Sequence, residues 1–70
     1  ERGTKMFIKN LKQAATASAI AARYGYEIPA AAWVGRYTTN TLSDYTYFHN
    51  KNRATIERSI VAALKVSRNR

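Results

Sequence analysis

Residues 52–67, NRATIERSIVAALKVS, carry the clearest structural signal in the chain. Ile56, Ile60 and Leu64 recur there every four residues, which places three aliphatic side chains on one face of an α-helix. Asn52 is a favourable N-cap, because its side-chain oxygen can accept a hydrogen bond from a free N–H of the first turn. The stretch therefore predicts a helix that begins after this cap and packs its aliphatic face on the rest of the chain.

A second helical pattern lies near the start of the chain. Small and apolar residues recur at helical spacing from Met6 to Ala22, and lysines fall outside that face. Alanine has the highest intrinsic helix propensity, and this stretch is rich in it. We expect the helix to stop at Gly25, because glycine readily takes the left-handed conformation that follows a helix end.

The middle of the chain is less regular. Pro29 is favoured in the first turn of a helix, so we expect a short helix from this residue to about residues 34–36. Residues 37–49 contain threonines and tyrosines, which favour strands, yet they alternate poorly with other residue types. This stretch forms either a two-stranded ribbon or a short helix that Ser43 caps.

These patterns predict a mainly α fold, a small bundle of three to four helices, with a short β-ribbon around residues 37–48 as the alternative for the middle. The 70 residues make at most one domain. We expect residues 1–5 to be a flexible polar lead-in and residues 66–70 a flexible basic tail. A core of this size leaves little net stability, so we also expect a homo-oligomer or a member of a larger assembly.

Charge is distributed unevenly along the chain. Twelve lysines and arginines stand against four acidic residues, and the formal net charge is +8 at pH 7. Residues 1–23 hold five of these cations and residues 51–70 hold six, whereas residues 24–50 hold one, together with seven of the eight aromatic residues. Because a strong charge imbalance does not stabilise a fold, it indicates a polyanionic partner.

Two basic ends around a nearly neutral middle favour a nucleic acid as that partner. Lys and Arg neutralise phosphates and release counterions, and this term supplies most of the non-specific affinity for nucleic acids. We expect DNA rather than RNA; in the RNA alternative, Tyr37, Tyr45 and Tyr47 would stack on bases. The candidate nucleic-acid-binding residues are Lys5, Lys9, Lys12, Arg23, Arg36, Lys51, Arg53, Arg58, Lys65, Arg68 and Arg70.

Residues 17–36, ASAIAARYGYEIPAAAWVGR, resemble the helix-turn-helix unit of small DNA-binding regulators. Ala21 and Gly25 keep the spacing between an alanine of the first helix and the turn glycine of that family. The resemblance implies a second helix that reads bases in the major groove. Pro29 lies where that helix has normally begun, and the outward positions around it offer few base-reading side chains. A plain helical hairpin is the alternative.

Catalysis and metal binding find little support in the sequence. Ser43, Asp44 and His49 are residue types of a nucleophilic site, yet no nucleophile elbow or oxyanion-hole motif accompanies them. A single histidine without any cysteine has no second ligand of these types for a metal such as zinc. We therefore expect no enzymatic activity, no cofactor and no metal.

The leading interpretation is a phage- or plasmid-type DNA-binding regulator or architectural factor in the cytoplasm. A first alternative is a structural or assembly protein within a virion, which would pack basic helices beside a genome and alanine faces against other copies. A second is a cationic, membrane-active peptide of the bacteriocin kind, although the chain lacks the long hydrophobic helix face that this requires. Its longest run of low polarity, residues 14–22, is far shorter than a membrane span.

Overall fold

The computed structural model describes residues 7–45 and 50–68. These residues form four helices and one small antiparallel ribbon. In chain order they are β1 (Phe7–Ile8), α1 (Leu11–Arg23), α2 (Ala30–Trp33), β2 (Arg36–Tyr37), α3 (Thr38–Tyr45) and α4 (Asn50–Arg68). The prediction of a small, mainly helical bundle is confirmed.

The start of α1 is set by a side-chain cap. Asn10 Oδ1 accepts a hydrogen bond from the backbone N–H of Gln13 at 2.9 Å, and Gln13 Oε1 accepts one from the backbone N–H of Lys9 at 2.7 Å. These reciprocal bonds satisfy donors that a helix start leaves without an intrahelical partner. The helix therefore begins at Leu11, later than the apolar pattern from Met6 onward predicted.

The residues before this cap are extended because they pair with a distant segment. Phe7 lies opposite Tyr37 and Ile8 lies opposite Arg36 in an antiparallel ribbon. The N–H of Gly35 also donates to the carbonyl of Ile8 at 2.7 Å. With φ at +82°, Gly35 occupies the left-handed region that glycine adopts at low cost, and this conformation leads the chain into β2.

The segment after β2 is helical. The ribbon that the sequence suggested around residues 37–48 lies instead between β1 and β2, and α3 follows β2 directly. α3 buries Thr38, Thr41 and Leu42, and this packing outweighs the modest helix propensity of threonine. α3 begins before Ser43, which the helical alternative took as its N-cap. The end of that predicted helix lies outside the described residues.

The turn between α1 and α2 is built on Gly25, as predicted. Its φ is +89°, its N–H donates to the carbonyl of Ala22 at 2.9 Å, and the N–H of Tyr26 donates to that of Ala21 at 3.1 Å. These bonds close the end of α1 through a left-handed glycine. α2 follows directly after Pro29, which is its N-cap rather than its first residue, and it has only four residues.

α4 is the longest described element and contains residues 52–67, but it begins at Asn50. Asn52 is therefore not the N-cap that the sequence predicted; it lies in the first turn, and its side-chain amide donates to Tyr26 Oη at 3.4 Å. Ile56, Ile60 and Leu64 are buried, as their four-residue spacing predicted. The helix includes residues 66–68, which the sequence assigned to a flexible tail, whereas residues 69–70 lie outside the described part.

The buried apolar residues of the described chain come from every helix, from β1 and, through Ile28, from the turn between α1 and α2. α1 contributes mainly alanines, so neighbouring backbones can approach it closely. Trp33 of α2 supplies the largest fully buried side chain. The members of this core are Ile8, Ala14, Ala17, Ile20, Ala21, Ile28, Trp33, Leu42, Ile56, Ile60, Val61 and Leu64.

Candidate nucleic-acid interface

The structure describes most of the cations that the sequence proposed as phosphate-binding residues. Lys5 and Arg70 lie outside the described residues. Lys51 and Arg68 belong to the ends of α4, where only their backbone is described. The cations with described side chains are Lys9, Lys12, Arg23, Arg36, Arg53, Arg58 and Lys65.

Two of these arginines make contacts inside the protein. Arg36 of β2 forms an ion pair with Asp44 of α3, and the two side chains are 47% and 53% exposed. Arg53 of α4 is half-buried, and its Nη1 donates to Ser43 Oγ at 2.5 Å. Both contacts attach a neighbouring element to α3. Because these guanidinium groups already have partners, they are less suited to phosphate than the remaining cations.

Lys12 and Arg23 lie on the same side of α1. They are eleven residues apart, which corresponds to about three helical turns and about 16.5 Å along the axis. Both are exposed. Arg23 also lines a groove against α4, together with Ser59 and Ala63. α1 therefore presents one cation close to α4 and a second one three turns away.

Arg58 and Lys65 lie on one face of α4. They are seven residues apart, which corresponds to two turns and about 10.5 Å along the helix axis. Both are exposed, and the exposed Ala62 lies between them. With Val61 and Glu57 they line a shallow depression. A row of two cations separated by an alanine leaves room for a ligand to approach the helix surface.

α1 and α4 pack against each other. Tyr24 Oη lies 3.4 Å from Ser59 Oγ, and Asn52 Nδ2 lies 3.4 Å from Tyr26 Oη, so the end of α1 meets the first half of α4.

We refer to the four exposed cations of these two adjacent helices together as the α1–α4 basic face: Lys12, Arg23, Arg58 and Lys65. Acidic side chains are largely kept away from it. Asp44 is held by Arg36, and Glu27 lies beside Ser18, on a side of α1 that is turned far from Arg23. Glu57 borders the face but is half-buried and accepts a hydrogen bond from the hydroxyl of Thr39.

The tyrosines divide into exposed and packed positions. Tyr45 is exposed, whereas Tyr37 is half-buried with its ring centroid 6.1 Å from that of Phe7. Tyr47 lies outside the described residues. Tyr24 is 43% exposed and lines the groove beside Arg23. Tyr24 directly follows Arg23 at the end of α1, and this position could have indicated from the sequence that its side chain is exposed beside a cation.

Two of the three residues of the nucleophilic type contact basic side chains, and the third is not described. Ser43 contacts Arg53, Asp44 contacts Arg36, and His49 is outside the described part of the chain. Within residues 7–45 and 50–68 no three His, Cys, Asp or Glu side chains group as a metal site would require. Over the same ranges, every helix is too short or too polar to cross a membrane.

No protein-family model, curated protein or solved structure shows significant similarity to this chain. Its function is therefore inferred from its own residues. The helix-turn-helix resemblance of residues 17–36 stays a prediction; in the structure its second helix would be α2, which comprises a single turn.

Proposed function

We propose that this chain is a non-enzymatic DNA-binding protein whose α1–α4 basic face binds the phosphate backbone of duplex DNA. The supporting observation is the grouping of Lys12, Arg23, Arg58 and Lys65 on adjacent helices. None of the four forms an ion pair with an acidic side chain that the structure describes. Four solvated cations on two adjacent helices attract a polyanion, and binding it breaks no ion pair that the structure describes.

Binding of this kind has a characteristic salt dependence. Each phosphate that a cation neutralises contributes about −0.9 to the slope of log K against log salt concentration. If all four residues of the basic face engage phosphates, the slope is about −3.6. Cations outside the described side chains, such as Arg70, would make the slope steeper.

The composition of the face favours positioning on the backbone over sequence reading. Arginine and lysine contact phosphates in any sequence, whereas specificity requires hydrogen bonds or apolar contacts to base edges. We infer a function in DNA packaging, architecture or regulation with modest sequence preference, in the cytoplasm or within a virion.

A salt titration tests this proposal. Fluorescence anisotropy of a labelled 20-base-pair duplex is measured with the full chain at several salt concentrations, beside single-stranded DNA, single-stranded RNA and anionic lipid vesicles as competitors. We expect duplex DNA to bind most tightly at low salt, with affinity that falls linearly on the logarithmic plot. Absence of binding at low salt, affinity independent of salt, or stronger competition by RNA or vesicles would refute the proposal.

Assembly of many copies beside a genome is the second candidate function, and one surface favours it. The outer side of α1 exposes Leu11 at 66% together with Ala15, Ala19 and Ala22. Small side chains at helical spacing let another helix approach closely. Light scattering after size exclusion distinguishes the two functions: an assembly protein forms large, ordered oligomers, whereas a regulator stops at a dimer.

A further inference from the structure

We propose that α4 enters the major groove of B-form DNA and contacts thymine methyl groups with its exposed apolar residues. The inference rests on the proposed function, because it requires that duplex DNA be the ligand. It adds which element meets the bases and which chemical group it recognises. Neither follows from the charge of the chain.

The first observation is an apolar strip on the outer surface of α4. Val66 is 60% exposed, and Ala62, one turn before it, is exposed as well. Residues four positions apart lie one above the other on the same side of a helix. Apolar side chains of this size contact the 5-methyl group of thymine, which projects into the major groove.

The second observation is that cations lie on both sides of this strip. Arg58 and Lys65 lie along one edge of it. Along the other edge runs the groove lined by Ser59 and Ala63, which Arg23 of α1 borders. Since successive residues are turned by 100° about the axis, Ala62 and Val66 fall between the two edges.

The dimensions of such an arrangement match the major groove. An α-helix with its side chains is about 10–12 Å across, and the groove is about 12 Å wide and about 8.5 Å deep. Small side chains at the outermost position let the helix approach the base edges. Longer arginine and lysine side chains on the two flanks then reach the phosphates of the two strands.

α1 is the only other described helix of comparable length, and it fits the groove less well. Its exposed alanines have cations on one flank only, at Lys12 and Arg23. The other flank meets a depression that contains Glu27 beside Ser18 and Ala22. A carboxylate there would face the phosphates of the second strand, and like charges repel. Glu57 also borders one flank of α4, but it is half-buried, accepts a hydrogen bond from Thr39, and lies beside two cations. The charges along the two flanks therefore favour α4.

Duplexes with and without the thymine methyl group test the inference. The full chain is titrated against two labelled duplexes of one A·T-rich sequence, one containing thymine and one containing uracil at every such position. Because each methyl group buried against an apolar surface is worth about fourfold in affinity, we expect the uracil duplex to bind at least fourfold more weakly. The salt slope should be the same for both duplexes, since the phosphate contacts do not change.

Two exposed positions provide matched variants. Val66→Ser removes the larger apolar side chain of the strip and leaves Ala62, so the affinity ratio of the two duplexes should fall clearly toward one. Leu11→Ser removes an equally exposed apolar side chain from α1 and should leave the ratio unchanged. A ratio of one for the unaltered protein, with a steep salt slope retained, would overturn the inference and leave the proposed function in place. Loss of all salt-dependent binding would overturn both.

Ala62→Glu supplies an independent readout. A carboxylate at this position would lie against the bases between two phosphate backbones, so we expect at least a tenfold loss of duplex affinity. Ala31→Glu introduces the same charge at an exposed position of α2 and should cost much less. Circular dichroism spectra of both variants establish that they fold. Equal losses in the two folded variants would contradict the placement of α4 in the groove.

Discussion

Thr38 and Thr41 are fully buried on α3, and their hydroxyl groups find no hydrogen-bond partner among the described residues. A hydroxyl that leaves water without gaining a partner costs roughly 1–3 kcal/mol. Thr39, between them in the chain, is different: it is half-buried, and its hydroxyl donates to Glu57 of α4. The same residue type therefore has opposite effects on stability at neighbouring positions of one helix.

Thr41→Val tests this difference. Valine has nearly the shape of threonine without its polar atom, so we expect the free energy of unfolding to rise by about 1 kcal/mol. Thr39→Val is the control: the same replacement removes a hydrogen bond, and the free energy of unfolding should fall by about 1 kcal/mol. Urea unfolding followed by circular dichroism measures both. A similar loss in both variants would show that the Thr41 hydroxyl has a partner.

At position 35 glycine is favoured by the backbone conformation alone and not by lack of space for a side chain. A side chain at this position would meet no atom within 4 Å, yet φ is +82°. Gly35→Ala should therefore lower the free energy of unfolding by about 1 kcal/mol, through the cost of left-handed backbone for a residue with a Cβ atom. Gly35→Asn should cost less, because asparagine tolerates this conformation. Thermal unfolding of the two variants ranks them, and an alanine variant as stable as the parent would be inconsistent with this backbone conformation.

Among elements, α1 separates what a local pattern can predict from what it cannot. Its alanines and its end at Gly25 follow from propensity and from glycine chemistry, and both were predictable. Its start was not, because Phe7 and Ile8 continue an apolar pattern that is compatible with a helix. They are extended because they pair with Arg36 and Tyr37. The residues around positions 7 and 8 do not show which distant segment they pair with, so this pairing could not be predicted locally. Long-range contacts moved this boundary, just as packing made α3 helical.

Asn10→Ala decides where α1 begins. If Asn10 is the N-cap, its removal leaves a backbone donor unsatisfied, and the free energy of unfolding should fall by about 1 kcal/mol. If the helix instead began near Met6, the same change would place a better helix former in its interior and raise stability. Asn10→Ser, which can also cap, should stay close to the parent protein. Chemical unfolding of the two variants therefore distinguishes the two helix starts by the sign of the change.

For the whole molecule, composition predicts a basic protein but not a basic face. From the sequence, all the candidate cations were equally suited to bind phosphate. The fold shows which of the described ones have partners inside the protein and which are free to bind a ligand. Arg36 contacts Asp44, eight residues away, and Arg53 contacts Ser43, ten residues away, through the packing of α3 against its neighbours. Arg58 and Lys65 share a face of α4, and the helix period made that part of the face predictable. The approach of Arg23 to α4 depends on how two helices pack, which a pattern within either helix does not encode.

The central claim, that the α1–α4 basic face binds DNA, is tested most directly by a pair of charge-matched variants. Arg58→Gln and Arg36→Gln each remove one positive charge, the first from the basic face and the second from the ion pair with Asp44. Duplex affinity is measured for both over a range of salt concentrations. We predict that Arg58→Gln weakens binding and makes the salt slope shallower by about 0.9, whereas Arg36→Gln leaves both near the values of the parent protein. Equal losses in the two variants would show that only net charge matters and would contradict the claim.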